Sequence, residues 1–64
     1  MKEETLKRVE QYIGNTFKKG RTCDDHEIAE ALEMDIWDVT ETTTYLEAAG
    51  RIKAAINKAR ATPL

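Results

Sequence analysis

The chain's one cysteine and one histidine stand three residues apart, in Cys23-Asp24-Asp25-His26-Glu27, with three carboxylates around them. A thiolate and an imidazole at that spacing could begin a metal site or a nucleophile–base pair. A structural zinc site needs a second such pair, and the sequence holds no further cysteine or histidine. Nucleophilic catalysis needs a third group to orient the base and a pocket for the substrate, and neither can be identified. Asp24 is instead suited to capping a helix, Cys23 to packing inward, and His26 to facing solvent in that helix's first turn. The expectation is therefore no catalytic residue, no metal and no cofactor.

What remains is recognition, and the charges are unevenly placed for it. The net charge of −2 conceals three segments. Residues 1–23 carry a balance of +3, from Lys2, Lys7, Arg8, Lys18, Lys19 and Arg21 against three glutamates. Residues 24–47 carry −9, with no lysine or arginine at all. Residues 48–64 carry +4, from Arg51, Lys53, Lys58 and Arg60. Solvated basic residues, or partners for the acidic stretch within the fold, are the plain reading of most of these cations.

The elements that must position these groups fit within one domain, 1–64. A chain of 64 residues buries only about 60% of its unfolded surface. Such a core is too thin for an enzyme with a deep cleft. With 34% charged residues and no long apolar run, no membrane span is expected. Met1-Lys2-Glu3-Glu4 lacks the basic-then-apolar start of a secretory signal, so a cytoplasmic protein is expected.

Leu6, Val9, Ile13 and Phe17 recur at helical spacing and predict a first helix over about 3–18, stopped at Gly20. Asp24 followed by Glu27 has the form of a capping box and opens a second helix. Ile28, Ala29 and Leu32 form its inner face. Asp35 caps a third helix, whose inward stripe is Val39, Thr43, Leu46 and Ala49, ended by Gly50. Beyond Gly50 two readings stand. Arg51-Ile52-Lys53 alternates like a strand, whereas the alanine-rich stretch from 53 to 61 favours a helix.

Ile28-Ala29-Glu30-Ala31-Leu32, Met34, Val39, Leu46, Ala49-Gly50 and Ile52 together follow the pattern I-A-x-x-L, a turn, V at plus eleven, L at plus eighteen, then A-G-x-I. In this the sequence resembles the winged helix-turn-helix superfamily, the fold of many small bacterial and archaeal transcription regulators. The resemblance covers about residues 6–53. It implies a mainly α fold with a small β component: helices at about 3–18, 24–32 and 35–49, a short strand near 21–23, and a wing hairpin after Gly50. It also implies a module that binds duplex DNA, with Thr40, Thr42 and Thr44 of the third helix facing the groove. The wing residues Arg51, Lys53, Lys58 and Arg60 would then lie on phosphate.

Two features depart from the family's pattern, one a single position and the other a helix face. Glu33 stands where a glycine is frequent, so a glutamate must adopt a left-handed backbone or the turn must differ. The outer face of the third helix carries Ile36, Trp37, Asp38, Thr40, Glu41, Thr42, Thr44 and Tyr45, where DNA readers carry basic and amide side chains. Trp37, placed in the core, would fill the space between the second and third helices, as large aromatics do in small cores. Placed outside, it joins Ile36 and Tyr45 in an apolar patch ringed by Asp38 and Glu41. Such a patch would suit a basic protein partner or a second copy of the chain, in a module that does not bind DNA.

Overall fold

The computed structural model describes residues 2–54 and 61–63. Three helices, α1 (Glu3–Lys18), α2 (Asp25–Leu32) and α3 (Ile36–Ala48), precede two strands, β1 (Ile52–Ala54) and β2 (Ala61–Pro63). The protein is thus mainly helical, with a small β component. The strands pair antiparallel, Ile52 opposite Pro63, Lys53 opposite Thr62 and Ala54 opposite Ala61. Of the two readings after Gly50, the structure takes the strand at both described ends. The short strand expected at 21–23 shrinks to a single bridge residue, Cys23.

The caps expected from the sequence are the ones that form. The Asp24 carboxylate accepts from the Glu27 amide at 2.8 Å, and that of Asp35 from the Trp37 amide at 2.7 Å. Each satisfies a helix-start N–H that has no partner within the helix. All three helices also end alike. The amides of Arg21, Met34 and Arg51 reach back five residues, to the carbonyls of Thr16, Ala29 and Leu46, at 3.2, 2.9 and 2.9 Å. The preceding residues, Gly20, Glu33 and Gly50, bond three residues back and hold positive φ values of 79°, 54° and 74°. This is the Schellman ending, which needs a left-handed residue at its corner. Glu33 takes that conformation without glycine's freedom, resolving the first departure in favour of the strained turn.

Val9 and Ile13 of α1, Cys23, Ile28 of α2, Val39 and Leu46 of α3, and Ile52 of β1 form one buried cluster. Leu6, Tyr12, Ala29, Leu32 and Met34 pack against it. The inner stripe of α1 ends on Thr16, which is buried, while Phe17 is half exposed, contrary to expectation. Positions 16 and 17 both continue a 6–9–13 spacing, and the chain buries the smaller side chain. Ala49, expected to close the inner stripe of α3, caps that helix and is exposed.

Two side-chain ties fix the helices. Asp25, in the first turn of α2, accepts from Thr40 Oγ1 at 3.3 Å and from Thr43 Oγ1 at 3.1 Å, pinning α2 to α3. Tyr12 of α1 donates its hydroxyl to Glu27 of α2 at 3.1 Å. Arg21 approaches the same carboxylate oxygen at 3.6 Å.

Candidate interaction surface on α3

The phase of α3 decides what the helix offers. Val39, Thr42, Thr43 and Leu46 are buried, and successive residues turn about 100° around the axis. Trp37 lies two positions before Val39, about 200° away, and is therefore on the opposite face. It is 78% exposed, so the expectation of a core tryptophan is corrected. Bulk favoured burial, but the helix phase set by Val39 and Leu46 overrides it. Glu41, Thr44, Tyr45 and Ala48 follow Trp37 at helical spacing and are exposed as well, Tyr45 at 49%. Ile36 is half-buried at the edge of this face.

The groove-facing residues expected for DNA do not stay together. Thr42 is 1% exposed and donates its hydroxyl to the Asp38 carbonyl at 2.7 Å, so its placement on the outer face is corrected. It sits three residues after Val39 and four before Leu46, which is the buried column of the helix. Thr40 is half-buried, its hydroxyl committed to Asp25. Thr44 alone of the three threonines is exposed.

The basic residues expected on phosphate divide similarly. Arg51 places both its Nε, at 3.0 Å, and an Nη on the Glu10 carboxylate of α1, a two-pronged ion pair that ties the approach to β1 to the first helix. Lys53 is exposed on β1. Lys58 and Arg60 lie outside the described residues. From α2 through the end of α3 the sequence holds no lysine or arginine.

A groove of about 320 Å³ beside this face escaped the sequence reading. It is lined by Lys2 and Thr5 from the start of α1 and by Asp38, Glu41 and Thr42 from α3. Nothing in the sequence signals that residues 2 and 38 are neighbours, because that contact depends on how α1 crosses α3. A smaller depression lies between α1 and α2, lined by Arg8, Gln11, Tyr12, Asn15 and Leu32. There Arg8 donates to the Leu32 carbonyl at 3.2 Å, helping to close the C-terminus of α2.

Cys23 and His26 are not brought together as a site. Cys23 is fully buried in the core and His26 is exposed on α2. Among the described residues, no group of three or more His, Cys, Asp or Glu side chains is gathered to hold a metal, and no helix is long and apolar enough to cross a membrane. Compared with protein-family models, curated proteins and solved structures, the chain matches none.

Proposed function

We propose that this chain is a small winged-helix module that binds protein through the outer face of α3, recognising a basic partner. The observation that carries the reading is Trp37. A tryptophan 78% exposed on a helix without any cation combines a large apolar anchor with an acidic surround. Tryptophan is among the residues most enriched where binding energy concentrates. Asp38, Glu41 and Glu47 on the same helix would steer and orient a basic segment more than they would tighten it. The module's winged-helix character rests on the helix order, the α2–turn–α3 pair and the strand pair after Gly50, which follow the pattern the resemblance implies.

Duplex DNA is the second reading, and it rests on the same resemblance. Its candidates among the described residues reduce to Thr44 and Lys53, with Arg51 held by Glu10 and Thr40 and Thr42 turned into the fold. DNA carries about one negative charge per 1.7 Å, so Asp38 and Glu41 oppose the approach of α3 to it. Any contact with DNA would have to be led by the strands after Gly50.

Selection from a random peptide library tests the choice. The enriched peptides should be rich in lysine and arginine around an apolar anchor, and should lose at least about tenfold in affinity for Trp37→Ala, as an interface anchor does. Acidic peptides, or peptides indifferent to that substitution, would refute the reading. So would tight binding of duplex at low salt that falls steeply as salt is added.

A further inference from the structure

Lys2, Asp38 and Glu41 line one groove, yet none of them forms an ion pair within 4.0 Å among the described residues. Of the other described cations, Lys7 pairs with Glu3, Arg21 with Glu27 and Arg51 with Glu10, whereas Arg8, Lys18 and Lys19 form no ion pair among the described residues. A groove that carries both signs of charge without pairing them internally has a particular geometric property. When such a patch meets its own image across a two-fold axis, the cation of each copy can reach the carboxylates of the other. That self-complementarity is the requirement for a closed symmetric dimer. Trp37 precedes Asp38 on the exposed side of the helix and supplies the apolar area that such a contact needs to bury.

We propose that the groove between the start of α1 and α3 is the contact of a homodimer, in which Lys2 of each copy pairs with Asp38 and Glu41 of the other beside Trp37. This rests on the protein-binding reading of α3 and names a second copy as its occupant. The contact is small and rimmed by exposed charge, so association is weak and salt-sensitive. A heterologous contact, with the acidic face of one copy on the basic end of α1 in the next, would build rings or open chains rather than a two-fold dimer.

Sedimentation at rising protein concentration, in about 20 mM and about 500 mM salt, reads the association directly. The variants are Lys2→Glu, Glu41→Lys, the two together, and Trp37→Ala, each checked by circular dichroism for retained helix. All three side chains or their attachment points are at the surface, so the fold should persist. The expected result is a monomer–dimer equilibrium that weakens at high salt. Each single charge reversal should raise the dissociation constant by about tenfold or more, through like charges facing one another. The double reversal should recover most of that loss, and Trp37→Ala should abolish the dimer. Four results overturn the proposal: a strict monomer, open-ended growth without a dimer plateau, a dimer indifferent to these variants, and a double reversal no better than the singles. A monomer that still binds selected peptides through Trp37 refutes the dimer while leaving the protein-binding reading intact.

Discussion

At Glu33 a side chain occupies a backbone conformation (φ 54°) that L-residues other than glycine rarely hold. The same corner in the other two helices is filled by Gly20 and Gly50. The left-handed conformation disfavours a Cβ by about 1–2 kcal/mol, partly offset by the greater freedom glycine has in the unfolded chain. Glu33→Gly should therefore stabilise the fold by about 1 kcal/mol and raise the melting temperature by about 4–8 °C. A thermal scan showing no rise would contradict the account of that turn. Thr42 and Thr44 give a second test at this scale. Thr44→Lys, on the exposed face, should change stability by less than about 0.5 kcal/mol. Thr42→Lys, which buries an unpaired ammonium, should destabilise by about 3 kcal/mol or more. Equal tolerance of the two, measured by urea unfolding, would place Thr42 outside after all. These positions also show what could be read from residue types. Val39 and Leu46 fix the phase of α3, and from that phase alone Thr42 falls inside and Trp37 outside. Threonine's polarity and tryptophan's bulk point the other way, and the helix period overrides both.

Between elements, the ties are polar and cross from one helix to the next. Asp25 holds two threonine hydroxyls of α3 while placing its charge on the positive end of α2. Asp25→Ala removes both bonds and should destabilise by about 2 kcal/mol, because hydrogen bonds to a charged acceptor exceed neutral ones. Asp25→Asn should lose less, and a neutral effect of the alanine in chemical unfolding would show that packing alone orients α3. The Tyr12–Glu27 bond has a pH signature. Partial burial, and then the Glu27 carboxylate that accepts its hydroxyl proton, push the Tyr12 pKa above its ordinary value of 10.0. The folded state thus favours the neutral phenol. Its contribution is complete below pH about 10 and is lost as the pH rises beyond that, through the raised folded value. Tyr12→Phe should be less stable than the parent by about 1 kcal/mol near neutrality. The difference should narrow above pH 10; a constant difference in melting temperature across that range would rule the linkage out. The helix caps were legible because Asp24, Asp35 and Gly50 act on neighbours a few residues away. The partners of Asp25, Tyr12 and Arg51 were not, since each bond spans 15 residues or more.

Over the whole molecule, the charge segments acquire positions. The −9 stretch of 24–47 becomes the surface of α2 and α3. The described basic residues lie along α1, just after it and at β1, where Arg51 is held by Glu10. The resemblance to winged helix-turn-helix regulators rests on apolar spacing, and apolar spacing carries no information about what the outer face of α3 touches. That face is where sequence and family expectation part: Trp37, Glu41 and Tyr45 are outward, and the threonines meant for a groove are largely committed elsewhere. The most direct test is an amide chemical-shift map of the protein at low salt, with a selected basic peptide and, in a matched sample, with duplex DNA. The peptide should shift Trp37, Glu41, Thr44 and Tyr45, and the duplex should leave α3 unmoved. Shifts along α3 with duplex that vanish on adding salt, and none with the peptide, would contradict the protein-binding reading of α3.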